Sequence, residues 1–422
     1  MRGMRRIGGT VATLGALAGL AAAAGWSWRV GWADYLARQE TLEATEEALG
    51  WTPGQAAYHF RLGVLAAEKE PARSMAALEG AVALNPWDAG SWIELGLRLE
   101  ADGKSDGAER CLLRAAEADR QYLPRWTLAS FYFRRQDTER FWAWAEASAE
   151  MVYGDATPLF RLCGQVTEDG ELIERIGIER PEVRANYVWY LMDRGRVDVI
   201  LRAARKVLEG NREADVPVMM AVCDRLLDGK RAEGAMEVWN GLAERHRIPF
   251  GAVSGTGPAP TNGTFSTAPT SHGFDWRLPV TEGVSPSSEE RPQGLRLTFS
   301  GEQPESCEVL AQFVPVREET AYELKFAYRT PGIRPGTGLR WRVMDAGGGG
   351  TLAEGESLSS EEEQAGAVWF RTPAGCRMAR IALEYRRTAG TTRIVGFVVL
   401  RSVDMRPAGY SPPEEPPRSR VR

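Results

Sequence analysis

The chain has 422 residues, enough for two or three domains. Its apolar fraction of 43% and charged fraction of 26% are typical of globular proteins, and a net charge of −5 argues against the basic surface of a nucleic-acid-binding protein. Five cysteines without CxxC spacing and only three histidines argue against a structural zinc site. We therefore expect no cofactor, no metal and no nucleic-acid partner.

The segment 1–28 is typical of a signal anchor. Three arginines precede an uncharged run over residues 7–28, and its 22 residues are enough to span a bilayer, which needs about 20. Trp26, Trp28 and Trp32 lie at and just after the end of this run, and tryptophan is enriched at membrane–water interfaces. The positive-inside rule predicts a cytoplasmic N-terminus and an exported bulk. We expect a single-pass protein of a cell inner membrane whose bulk is periplasmic. The alternative is secretion after signal cleavage, because residues 22–24 are small, as a cleavage site requires.

Residues 29–55 are charged, and their apolar side chains recur at helical spacing. We expect this segment to be a helical stalk or a cap on the helices that follow.

A repeating pattern of side chains organises the next part of the chain. One group follows W-x2-L-G-x2-L, a second follows A-x3-L-x2-A, and the tryptophan of the first group recurs after the second. Residues three and four apart share a helix face, so each group predicts the apolar side of one helix. Gly96 and Ala108 are small where these helices would cross, and Gly103 would end the first helix. The pattern residues are Trp92, Leu95, Gly96, Leu99, Ala108, Leu112, Ala115 and Trp126.

This spacing resembles the tetratricopeptide repeat (TPR), whose period of about 34 residues matches the step from Trp92 to Trp126. The resemblance implies stacked helix pairs over residues 56–247, forming a superhelix that binds a protein partner. Trp142 and Glu146 depart from the pattern. The helix that carries them has either repacked into the core or turned its aromatic side chains towards a groove.

Composition changes after His246, and helical spacing gives way to alternation of apolar and polar residues. Residues 248–262 read as a linker, 263–405 as an antiparallel β-sandwich and 406–422 as a disordered tail. The predicted strands lie near residues 295–299, 309–316, 322–328, 339–343, 367–371, 381–385 and 394–403. Cys307 and Cys376 fall in this region and could pair in an oxidising compartment.

The β region opens with Asn262-Gly263-Thr264-Phe265 and Gly273-Phe274-Asp275-Trp276. This opening resembles the galactose-binding-like jelly rolls of carbohydrate-binding modules. The resemblance implies a sugar site in which aromatic rings stack on pyranose rings and polar side chains bind hydroxyls. The alternative is a solvated sheet face. The candidate residues are Trp276, Trp369, Gln312, Arg340 and Arg342.

No GxSxG, P-loop or HExxH motif is present, so we expect no enzyme. The predicted fold is multidomain: a transmembrane helix, an all-α TPR-like superhelix and a jelly-roll-like β-sandwich. The function we expect is an exported scaffold that binds a protein partner and a polysaccharide, in cell-surface polysaccharide assembly or export. A purely protein-binding adaptor is the second hypothesis, and a glycan-active enzyme the third.

Overall fold

The computed structural model describes residues 2–176, 180–348 and 350–408, with side chains from Gly15 onward. The chain divides into two compact units, Met1–Val183 and Arg184–Arg422. The predicted tail lies outside the described residues from residue 409 onward.

In the first unit, each of the first eight helices packs against the helix that follows it. This arrangement confirms the predicted helical region. Its described helices are α1 Arg2–Ala37, α2 Leu42–Trp51, α3 Ala56–Leu65, α4 Pro71–Leu84, α5 Ala89–Ala101, α6 Ser105–Ala118, α7 Tyr122–Arg134, α8 Thr138–Met151, α9 Thr157–Cys163 and α10 Asp169–Arg175.

The pair α5–α6 corresponds to the predicted repeat. The Asp88 carboxylate caps α5 by accepting a hydrogen bond of 3.1 Å from the Ser91 amide. Gly103 follows α5 with φ +77, the left-handed conformation that the sequence predicts there. A Cβ atom on Gly96 would lie 2.9 Å from the Leu112 side chain, which confirms the close helix crossing.

The remaining pattern residues occupy the predicted apolar faces. Ala108, Leu112 and Ala115 are fully buried, Leu95 is nearly so, and Trp92, Leu99 and Trp126 are half-buried. In the next repeat, Phe141 and Trp142 of α8 are buried. The repacked-core interpretation of α8 is therefore confirmed.

Residues 29–55 form a cap rather than a free stalk. Ala33, Leu36 and Ala37 of α1 pack with Ala48 of α2 and Tyr58 of α3 in one apolar cluster. The C-terminal part of α1 and α2 are therefore the first packed pair of the helical region.

Within the part of the chain that the structure describes, no helix combines the length and the apolar character needed to cross a membrane. The predicted anchor covers residues 1–28, and its side chains before Gly15 lie outside the described part.

The second unit begins within a helix and ends in two sheets. Its helices are α11 Pro181–Asp193, which begins just before the unit boundary, α12 Val197–Glu209, α13 Val216–Asp228 and α14 Ala232–Glu244.

The two antiparallel sheets share one core. One sheet has the strand order β1-β2-β9-β4-β7 and the other β3-β8-β5-β6, and the inward side chains of both belong to a single apolar cluster. The predicted β-sandwich is therefore confirmed at the level of its two sheets. The described strands are β1 Val284–Glu290, β2 Gln293–Ser300, β3 Ser306–Pro315, β4 Ala321–Arg329, β5 Leu339–Asp345, β6 Thr351–Glu354, β7 Gln364–Arg371, β8 Met378–Arg386 and β9 Val395–Pro407.

The predicted linker is fixed at both ends. The Trp239 indole of α14 donates a hydrogen bond to the Gly251 carbonyl (3.2 Å), and the Met405 amide of β9 donates one to the Ala259 carbonyl (2.6 Å). This segment therefore follows the surface of the second unit.

Cys307 and Cys376 are free thiols, so the pairing that the sequence left open does not form. Cys307 lies opposite Tyr385 on β8, whereas Cys376 precedes the other end of β8 at Met378. The seven residue steps between these positions correspond to roughly 24 Å of strand, far beyond the reach of a disulfide.

Candidate ligand-binding surfaces

The predicted glycan-binding residues do not meet at one surface. Trp276 is fully buried in the sandwich core, with its ring 5.5 Å from Phe265 and 6.1 Å from Trp341. Its indole N–H donates a hydrogen bond of 3.1 Å to the Asn262 carbonyl. The prediction that Trp276 stacks on a sugar is therefore wrong, because no ring face is free.

Gln312 is also buried, although it is polar. It lies on β3, and its side-chain amide donates a hydrogen bond of 2.8 Å to the Thr261 carbonyl. Gln312 thus holds the segment that precedes β1 and offers nothing to an external ligand.

Arg340 and Arg342 lie on the outer face of the sheet that contains β5. Arg342 is 3.4 Å from Glu384 and 3.6 Å from Glu354, and Arg340 is 3.7 Å from Glu354. Further along this face, Arg380 is 2.5 Å from Glu308. These three arginines and three glutamates neutralise one another, which favours the solvated-face interpretation for this sheet.

Trp369 lies on the outer face of the other sheet, on the edge strand β7. Its side chain is 61% exposed, as its position out of step with Val368 and Phe370 predicts. It stands opposite Glu323, and Ala367 stands opposite Lys325. Trp369 is therefore the one predicted aromatic residue whose ring can meet a ligand in the described part of the chain.

The same outer face carries an arginine cluster that the sequence reasoning missed. Glu289 is 2.8 Å from Arg401, 2.9 Å from Arg296 and 3.7 Å from Arg329. The Arg296 guanidinium also lies 3.9 Å from the centre of the Phe397 ring. Burial raises the pKa of Glu289, but hydrogen bonds and charge from Arg401 and Arg296 outweigh it and lower the pKa overall. The alternation of apolar and polar residues along β2 and β4 predicts that Arg296 and Arg329 point outward. Their proximity to Arg401 depends on the strand order, in which β9 lies between β2 and β4.

A cavity of about 660 Å³ lies in the second unit, between α12–α14 and one end of the sandwich. Leu226, Phe313 and Met378 give it apolar walls. Two ion pairs are among its lining residues, Arg205 with Glu237 and Arg377 with Glu233. Most of its charges therefore already have partners within the protein.

Two exposed aromatic residues mark the connections between helix pairs in the first unit. Trp87 follows α4 and is 71% exposed, and Tyr153 follows α8 and is 84% exposed. The Arg114 guanidinium lies 5.7 Å from the Trp87 ring and that of Arg180 lies 4.8 Å from the Tyr153 ring. The sequence separation between the aromatic residue and its arginine is the same in both cases, so the arrangement recurs in different repeats.

The cysteines are placed as small apolar residues. Burial raises the pKa of Cys163 to about 12, and burial together with nearby Asp345 raises that of Cys376 to about 11. Both thiols are therefore protonated at neutral pH, and a protonated thiol is a poor nucleophile. Among the described residues, no group of three or more His, Cys, Asp or Glu side chains is placed to hold a metal ion.

The sequence matches no protein-family model and no curated protein. Solved structures resemble parts of the chain. One described as "CBM4 structure and function" has a TM-score of 0.29 and 12% identity, covering 35% of this chain and 99% of its own. YrrB, described as a TPR protein with an unusual peptide-binding site, has a TM-score of 0.24 and 14% identity, covering 50% of this chain and 95% of its own. PilF of Pseudomonas aeruginosa has a TM-score of 0.22 and 13% identity, covering 45% of this chain and 76% of its own. At these TM-scores, the function of this chain has to be inferred from its own surfaces.

Proposed function

We propose that this protein is a membrane-anchored, extracytoplasmic scaffold. Its helical pairs bind a protein partner, and the outer face of the sandwich sheet that carries Trp369 binds a glycan. The setting we propose is the assembly or export of polysaccharide at the cell surface.

The observation that carries the scaffold proposal is the register between successive helix pairs. Glu100 at the end of α5 and Arg134 at the end of α7 are 34 residues apart, and their two hydrogen bonds measure 2.7 and 2.8 Å. Equivalent positions of adjacent repeats therefore lie side by side. Repeats stacked in register present a continuous surface, and such surfaces bind extended protein segments.

The exposed aromatic residues at the repeat connections support a protein partner. Large aromatic side chains bury substantial apolar area on binding, and together with arginine they are enriched at the centres of protein interfaces. Trp87 beside Arg114 and Tyr153 beside Arg180 each combine these two side-chain types.

Site-specific photo-crosslinking in membranes tests the scaffold. A photoreactive phenylalanine analogue replaces Trp87 or Tyr153 in the full chain, and a control places it at Val395, an exposed residue of β9. We expect a discrete crosslinked protein from positions 87 and 153 and none from 395. Equal labelling at all three positions, or no product at 87 and 153, would refute partner binding at these connections.

The glycan proposal is supported by Trp369, which offers a free indole ring on the outer face of a sheet. A glycan array with the full chain in detergent tests it. We expect Trp369→Ala to reduce sugar binding at least tenfold and Trp189→Ala, a change at an exposed tryptophan of α11, to leave it unchanged.

The adaptor hypothesis remains the alternative for the sandwich, because the outer face of the β5 sheet is neutralised by its own ion pairs. Absence of sugar binding together with a crosslinked partner at position 87 would favour that alternative.

A further inference from the structure

Four aromatic rings form a continuous stack at the start of the helical region. Trp28 and Trp32 of α1 are stacked with ring centres 6.3 Å apart, and Tyr35 continues the stack at 5.4 Å from Trp32. Trp51, at the end of α2, meets Trp28 edge-on at 5.5 Å. The stack thus joins two helices whose aromatic residues are far apart in sequence.

Three of these four rings are exposed to solvent in the chain itself, whereas Trp51 is half-buried. Trp28 is 61% exposed and Tyr35 is 58% exposed, and Trp26 beside them is exposed to a similar extent. Clustered exposed aromatic residues mark a surface that has a partner. Tryptophan and tyrosine combine a large apolar ring with a polar group, which suits them to the boundary between hydrocarbon and water.

The position of the stack along α1 identifies the partner. On its N-terminal side the helix carries the uncharged run 7–28. On its C-terminal side an ion pair of 2.8 Å joins Asp34 and Arg38, which are exposed. The stack therefore lies where an apolar helix becomes a charged one, and that is the level of the lipid headgroups if 7–28 enters the bilayer.

The stack is fixed to the helical region. Arg29 donates a hydrogen bond to the Trp51 carbonyl, and Arg61 of α3 donates one to the Ala37 carbonyl. The buried side chains of Ala33, Leu36 and Ala37 hold α1 against α2 and α3. A surface that binds the stack therefore also determines where α2 lies relative to that surface.

We propose that Trp28, Trp32, Tyr35 and Trp51 form an aromatic collar that binds the headgroup region of a phospholipid bilayer. The collar places α2 on the membrane surface, so the helical scaffold starts at the bilayer with no spacer. This inference rests on the proposed anchor and adds the contact of α2, which an anchor alone does not require.

Depth-dependent quenching tests the collar with the full chain in phosphatidylcholine vesicles. A fluorescent label is attached at Gly19→Cys in the anchor, at Glu47→Cys on α2, or at Glu139→Cys on α8 as the control. Position 47 lies four residues before Trp51, and residues with this spacing share a helix face. All three positions are exposed, whereas four of the five native cysteines are buried and Cys307 is half-buried.

We expect a nitroxide on the lipid headgroup to reduce the fluorescence at position 47 at least twofold and to leave position 139 unchanged. A nitroxide deep in the acyl chain should quench position 19. Adding Trp28→Ala and Trp51→Ala should at least halve the quenching at position 47 and leave position 19 unaffected, whereas Trp369→Ala should change neither.

Quenching at 19 without quenching at 47 would overturn the collar and leave the anchor intact. Quenching at 47 without quenching at 19 would support the collar and overturn the spanning anchor. No quenching at either position would overturn both.

Discussion

At Gly273, both the backbone conformation and the packing require a residue without a side chain. Its φ of +56 is a backbone conformation that residues other than glycine rarely adopt, and a Cβ atom there would lie 2.5 Å from the Trp239 ring. Trp239 is fully buried, so its indole cannot move aside. We expect Gly273→Ala to lower the free energy of unfolding by about 3 kcal/mol in urea unfolding of the full chain.

Gly390 provides the matched control for this substitution. It also has a positive φ, +82, but a Cβ atom there would meet nothing within 4 Å. Gly390→Ala should therefore cost only the backbone strain, about 1 kcal/mol. Equal losses for the two variants would contradict the close contact between Gly273 and Trp239.

Glu289 makes stability depend on pH through its arginine partners. Burial raises its pKa, but Arg401 and Arg296 lower it by more, so the folded-state pKa lies below the ordinary value of 4.5. The stabilisation by the carboxylate is therefore present above the ordinary pKa and is lost as the pH falls through the lowered one. We expect Glu289→Gln to cost about 2 kcal/mol at pH 7 and progressively less below pH 4.5, measured by urea unfolding.

Glu356→Gln, at an exposed position after β6, is the control for charge removal and should leave stability unchanged at pH 7 and below pH 4.5. A loss from Glu289→Gln that stays constant down to pH 2 would show that the arginine contacts do not act through the ionised carboxylate.

The tryptophans show how far the orientation of single residues can be predicted. Trp341 and Trp369 lie on strands, where alternation predicts the direction of the side chain, and the structure confirms one as core and the other as exposed. Trp276 precedes the first strand, where no alternation applies. Its burial depends on Phe265 and Trp341, which only the folded chain brings together.

In the helix pair α5–α6, Gly96 sets the distance between the two helices. Valine there would place methyl groups against Leu112, which is fully buried, so the two helices would have to separate. We expect Gly96→Val to lower the stability of this pair by about 3 kcal/mol, seen as faster amide hydrogen exchange in both helices.

Gly50, on α2, has nothing within 4 Å of the position of a Cβ atom. Gly50→Val should therefore change stability by no more than about 0.5 kcal/mol. Equal effects at Gly96 and Gly50 would mean that helix propensity, and not the crossing of α5 and α6, determines the loss.

Elements with a regular apolar pattern could be predicted, and those without one could not. All seven predicted strands are present. β2, β4 and β5 alternate buried apolar residues with more exposed ones, whereas β3 and β9 contain runs of consecutive buried residues. The two missed strands, β1 and β6, have neither pattern. β1 is almost entirely exposed, because it is an edge strand held by its backbone pairing with β2. Backbone pairing of this kind leaves no apolar signal in the sequence.

Along the full chain, the change in composition after His246 does not mark a boundary between compact units. The second unit begins at Arg184 and joins α12–α14 to the sandwich. The Asp224 carboxylate on α13 accepts hydrogen bonds from the Gly273 amide (2.7 Å) and from Arg277 (2.5 Å). These contacts link residues far apart in sequence, so a local pattern could not predict them.

This organisation predicts that a fragment of residues 184–422 is more stable than one of residues 248–422. The shorter fragment lacks Trp239, whose ring packs 5.6 Å from Phe250 and 5.7 Å from Phe274. Losing a buried aromatic residue costs about 4 kcal/mol, which corresponds to a fall in melting temperature of roughly 10 °C for a unit of this size. Asp224→Ala in the longer fragment should give an intermediate value in thermal unfolding followed by circular dichroism. Equal melting temperatures for the two fragments would show that the sandwich folds independently of α12–α14.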